Sequence, residues 1–86
     1  MGDGPPFRYR PDVLVQLTEH GVRPNAHTRP ELVHGYVGDL YRHEIRRLRD
    51  RLLQREFPKR EYASRVTDLR RRYHLISVRA FEWLEA

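Results

Sequence analysis

The sequence contains no cysteine, which excludes disulfides, thiolate metal sites and the covalent staples that small secreted domains rely on. Charges or prolines interrupt every apolar stretch, so none reaches the length of a membrane span or a signal-peptide core. There is no glycine-rich phosphate loop. The only serines are Ser64 and Ser77, and neither stands in the strand-to-helix elbow that exposes a hydrolase nucleophile. These absences describe a cytoplasmic protein with no membrane association, no catalytic residue and no cofactor or metal site of a familiar kind. Lysine, asparagine and isoleucine are also scarce: Lys59, Asn25, Ile45 and Ile76 are all there are, against sixteen arginines. A GC-rich genome produces that skew. Arginine suits phosphate through its planar fork of donors, yet its abundance alone does not identify a phosphate-binding protein.

What is present is enough for one domain. Eighty-six residues at 38% hydrophobic and 34% charged fall short of two cores but are too apolar for a disordered chain. Residues 1–10 hold two glycines and two adjacent prolines without any period and read as a flexible leader, from which Phe7 and Tyr9 can tuck onto the core. Residues 11–86 read as a single helical domain. Pro11 and Asp12 suit a first helical turn and Gly21 a left-handed stop, which predicts a short helix over 11–20 carrying Val13, Leu14 and Leu17. Thr28-Arg29-Pro30-Glu31 has the pattern of a capping box, with the Thr28 hydroxyl accepting from the third-residue amide and Glu31 reaching back. A long helix to about Gln54 follows. Pro58 opens a third helix through Tyr73, and Ser77 caps a short fourth one through Glu85.

At 100° per residue the first half of the long helix presents a broad apolar face of Val33, Tyr36, Val37, Leu40 and Tyr41. The second half keeps a narrow seam of Tyr41, Ile45, Leu48 and Leu52, spaced 4-3-4. The third helix repeats that spacing in Tyr62, Val66, Leu69 and Tyr73. Matching seams joined by a short turn predict an antiparallel hairpin packed like a coiled coil. The fold class is therefore all-α: a small three- to four-helix domain built around a long antiparallel helical hairpin. In this pattern residues 48–69, with Glu61-Tyr62 opening the second arm, resemble the short helical hairpins of bacterial SHOCT-type modules. The chain departs from them at Arg55-Glu56-Phe57-Pro58, where those modules carry glycine and an Ile-Thr turn.

Candidate chemistry is sparse. His43-Glu44 resembles part of the zinc-protease helix, but Arg47 occupies the position of the second histidine ligand, so an exposed pair is expected there. Asp39 and His43 are spaced for a surface hydrogen bond. Gly35 and Gly38 lie inside the long helix at a cost of roughly 2 kcal/mol relative to alanine. Close approach of a partner, of the first helix or of the leader would account for them. Residues 42–73 hold twelve basic and five acidic residues, a net +7, while the rest of the chain sums to −2. Arg42, Arg46 and Arg49 form a stripe, and Arg70, Arg71 and Arg72 a cluster. Part of that charge is expected to sit in intrahelical pairs, Glu61 with Arg65 and Asp68 with Arg72.

Trp83 projects away from Val78, Phe81 and Leu84 on a helical wheel. It either covers the open end of the core or joins an exposed partner patch. Two functions remain open. One is a non-catalytic helical protein-interaction module whose partner is another protein or a second copy of the chain. The other is an accessory nucleic-acid-binding protein contacting phosphates through Arg42, Arg46, Arg49 and Arg70 to Arg72.

Overall fold

Proline at the first helical position fixes where two of the three α-helices among the described residues begin, since its missing N–H is one a helix start leaves unpaired anyway. In the computed structural model, which describes residues 6–86, α1 spans Pro11–Glu19, α2 Pro30–Leu53 and α3 Tyr62–Arg72. The fold is all-α, with no strand among the described residues.

α1 is held by Val13 and Leu17, four apart and both buried. It stops at Gly21, whose φ of +75° is open to glycine at no steric cost. The amides of Gly21 and Val22 return to the Thr18 and Leu17 carbonyls at 2.9 Å each. α2 begins one residue later than a capping box requires. Arg29 is its N-cap, and no side chain caps it. The Thr28 hydroxyl instead accepts from the Asn25 amide at 3.0 Å, and the Asn25 side chain accepts from the His27 amide at 2.7 Å. The loop has taken the hydroxyl that the helix was expected to use, because an Asx-type turn competes for the same group.

The far end of α2 closes in a Schellman arrangement. Glu56 N–H bonds the Arg51 carbonyl and Arg55 N–H the Leu52 carbonyl, both at 3.0 Å. The left-handed residue there is Arg55, at φ +61°, where glycine is the usual choice. Pro58 then caps a single 3₁₀ turn, Lys59–Glu61, that leads into α3.

The expected fourth helix does not form. Residues 74–77 and 80–83 make two short 3₁₀ turns, and the Ser77 hydroxyl bonds back to the His74 carbonyl at 2.7 Å instead of capping anything. Six large apolar residues in ten cannot all face one way on a helix. The looser path turns Trp83 inward to full burial and leaves Phe81 67% exposed. Trp83 is thus core, not patch.

The last part of the leader also belongs to the fold. Tyr9 pairs with Leu84 in an antiparallel bridge, flanked by Arg10 N–H to the Trp83 carbonyl at 2.9 Å and Glu85 N–H to the Arg8 carbonyl at 2.8 Å. Tyr9 is buried, and its hydroxyl donates to the Thr28 carbonyl at 2.6 Å. Residues 1–5 of the expected leader lie outside the described residues.

The core sits at one end: Tyr9, Val13, Leu17, Val33, Val37, Leu75 and Trp83. Tyr36, expected on this face, is 54% exposed. Beyond the core, α3 lies against the second half of α2 and the pair projects as an arm. The molecule measures 58 × 17 × 17 Å, with a radius of gyration of 16.0 Å, where a compact chain of this length would have about 12 Å. No helix among the described residues is long and apolar enough to cross a membrane.

Candidate binding groove

The arm's interior is thin. Leu48 and Leu69 are buried between the helices, and Phe57 closes the tip at 6% exposure. The Arg65 guanidinium lies 4.2 Å from the Phe57 ring centroid and that of Arg51 5.6 Å from it, so cations cover the ring. Glu61 and Glu56 hold these arginines at 3.1 and 3.2 Å. At the other end Tyr41 meets Tyr73 with centroids 5.5 Å apart, and His20 of the α1 terminus stacks on Tyr73 at 4.3 Å. Burial, and then the Glu44 carboxylate, holds the Tyr73 phenol above its ordinary value, with Arg72 opposing.

Two helices in contact leave a groove on each side, and here the two differ in chemistry. One is lined by Glu44, Arg47, Arg51, Arg65, Asp68 and Arg72, so carboxylates answer part of its positive charge. The other has Tyr41, Ile45, Tyr62 and Val66 on its floor, with Arg42, Arg46 and Arg49 from α2 along one rim and Arg70 from α3 on the other. It contains no acid. Arg42 is paired with Asp39 on its own helix, but Arg46, Arg49 and Arg70 make no ion pair among the described residues.

The structure therefore gathers four of the seven sequence candidates. Arg42, Arg46 and Arg49 stay together because their 4-3 spacing keeps one face. Arg70, Arg71 and Arg72 separate, since three consecutive helical residues fan over about 200°. Arg70 reaches the acid-free groove and Arg72 the mixed one, while Arg71 points outward with Asp68 at 4.0 Å. That Asp68–Arg71 pair replaces the expected Asp68–Arg72 pair, and Asp39 pairs with Arg42 in place of His43. Trp83 leaves the candidate set altogether because it is fully buried, packed at 5.2 Å from the His34 ring.

From spacing alone the floor residues read only as seam. The signal that could have found them is that a narrow 4-3-4 seam cannot hide large rings on both sides, so Tyr41 and Tyr62 remain half-buried. Gly35 is exposed and Gly38 is buried. A Cβ at Gly35 would meet nothing within 4 Å, and one at Gly38 only the Arg42 guanidinium at 3.7 Å. Neither Cβ would come within 4 Å of the first helix or of the described part of the leader. Among the described residues no three histidine, aspartate or glutamate side chains gather where a metal could bind.

No protein-family model, curated protein or solved structure matches the chain. The likeness of residues 48–69 to SHOCT-type hairpins is one of packing pattern only.

Proposed function

We propose that this chain is a non-catalytic helical protein-interaction module whose arm is an antiparallel hairpin and whose working surface is the acid-free groove along it. The hairpin reading is supported by the order of the contacts: Tyr41, at the middle of α2, meets Tyr73 after α3, while Arg51, near the end of α2, shares Phe57 with Arg65 early in α3. The observation that carries the binding reading is the groove's composition, four arginines over an aromatic and aliphatic floor with no carboxylate among them. An arginine left unpaired beside an apolar surface is a ready partner for a carboxylate, through a bidentate, charge-assisted contact. The cytoplasm is the compartment this cysteine-free chain suits.

Nucleic acid is the second reading, favoured by the three unpaired arginines on one side of the arm. Phosphate contacts there would make binding fall steeply with salt.

Charge placement separates the working surface from general basicity. Reversing Arg46, Arg49 and Arg70 to glutamate, and in a second protein Lys59, Arg60 and Arg72, gives two variants of equal net charge. Binding of a labelled polyglutamate peptide should be lost in the first and largely kept in the second. Equal losses in both would mean that total charge, not the groove, does the binding.

A further inference from the structure

Resting on that reading, we infer that the groove takes an amphipathic helix of a partner protein, with its apolar stripe on the floor and a row of carboxylates facing Arg42, Arg46 and Arg49. The floor and the rim ask for different chemistry, and such a helix supplies both. Tyr41, Ile45, Tyr62 and Val66 are half-buried, so a docking side chain gains by covering what the seam leaves open. A phosphate backbone is polar throughout and gains nothing from that floor. The rings are also poor stacking platforms for bases, since they lie in the groove between the helices and Tyr41 already packs against Tyr73.

The rim repeats at 4-3 spacing along α2. Carboxylates at i, i+4 and i+7 of a helix lying alongside have the same repeat and meet the three arginines in register. This is helix-in-groove recognition, in which apolar anchors give affinity and rim charges give orientation. The groove also has a neighbour to extend into. Tyr41 and Arg70 line a second, smaller and mainly apolar depression with Ile76 and Ser77, which lengthens the track toward the core. On α2 itself the same face runs on through Gly38, over which the Arg42 guanidinium lies, to the exposed Gly35, where a Cβ would meet nothing among the described residues within 4 Å. From Gly35 to Arg49 the face is about 21 Å long at 1.5 Å per residue, the length of a four-turn helix.

The test uses the full chain and defined probes. A labelled four-turn peptide is made with leucines every third and fourth position flanked by glutamates, together with an isomer of identical composition in scrambled order. A polyglutamate peptide and single- and double-stranded DNA complete the set. Anisotropy should show the patterned peptide binding at least about tenfold more tightly than its isomer, a margin of one decade in Kd. The peptide should become helical by circular dichroism when bound, and the Arg46, Arg49 and Arg70 reversals, all at exposed positions, should abolish the preference. Because floor substitutions can disturb the arm, Ile45→Ala is read only beside its melting curve. It should weaken the patterned peptide and leave polyglutamate unchanged.

If the three peptides bind alike, the groove still recognises carboxylates but the helix inference falls. It falls also if DNA outcompetes every peptide. It falls again if sedimentation shows that the chain self-associates and that the same reversals abolish it, since a second copy is then the occupant. If no probe binds at low salt, the anionic-partner reading fails along with it.

Discussion

The core end and the arm of this molecule are built from the same helix, α2, yet they are stable for different reasons. At the core end Val13, Leu17, Val37, Leu75 and Trp83 come from the chain's first helix, its long helix and its final turns, and none is more than 3% exposed. In the arm only Leu48, Phe57 and Leu69 reach burial, and charged side chains wrap them. Hydrophobic burial scales with area, so most of the folding free energy is placed in the core end. The arm keeps its width down and its arginines outside. A region that holds its shape on three buried side chains keeps most of its surface outside any core, which is why the proposed binding surface is placed there and not at the core end.

Substitutions can break that comparison at either end. The largest effect belongs to Trp83→Ala. The ring is fully buried and its indole N–H has no acceptor among the described residues, so its contribution is packing, and truncation should cost about 3–5 kcal/mol. Urea denaturation would measure it. A loss below about 1 kcal/mol would mean the core end is not the stable half, since fully burying a large side chain is worth more than that.

Leu48→Ala and Leu69→Ala come next, each expected to cost about 2–4 kcal/mol. The double mutant should lose less than the sum, because side chains in contact share the cavity they leave. Strict additivity would separate the two leucines and undo the hairpin seam.

Two backbone changes should act in the opposite direction. Arg55 holds a left-handed conformation in an exposed turn, and Arg55→Gly should stabilise the arm by about 1 kcal/mol by removing the Cβ conflict. Gly38→Ala places a methyl at ordinary contact distance from Arg42 alone and should add up to about 1 kcal/mol from helix propensity. Thermal melts compare both with the parent. A fall in Tm for Gly38→Ala would show a close internal contact that the structure lacks.

Helix starts and stops were legible in the sequence because proline and glycine act locally. Pro11, Gly21 and Pro58 each act within a turn of their own position. What escaped was decided by distant partners. Tyr9 reads as leader until the final residues pair with it. Trp83 reads as exposed only if residues 77–85 are forced onto a helical wheel. In the groove the arginine stripe of α2 could be read from spacing, but not the acid-free composition, because that depends on Arg70 and Val66 arriving from another helix while Glu44 and Asp68 turn to the opposite side. The capping box failed for a local reason, competition for one hydroxyl.

That competition gives the smallest and most discriminating effect. In a capping box Thr28 and Glu31 would act as a unit, each substitution costing about 1 kcal/mol and the pair being coupled. Here the Thr28 hydroxyl serves the Asn25 turn, and Glu31 is exposed in the first turn of α2, its carboxylate accepting no hydrogen bond among the described residues. Glu31→Ala should therefore cost only a few tenths of a kcal/mol, the loss of a favourable charge at a helix N-terminus being about that size at an exposed site. Thr28→Ala should couple to Asn25→Ala and not to Glu31→Ala in double-mutant cycles. Glu31 has a second, independent readout. Burial first, and then the Glu31 carboxylate, hold the Tyr9 phenol above its ordinary value. A raised phenol contributes stability that is complete below the unfolded value of about pH 10 and is lost as pH climbs through the folded one. Glu31→Ala removes the smaller of the two causes, so Tyr9 should titrate at lower pH and the stability lost on raising the pH through that titration should be slightly smaller. An unchanged Tyr9 titration together with strong Thr28–Glu31 coupling would put the box back and move the start of α2 by one residue.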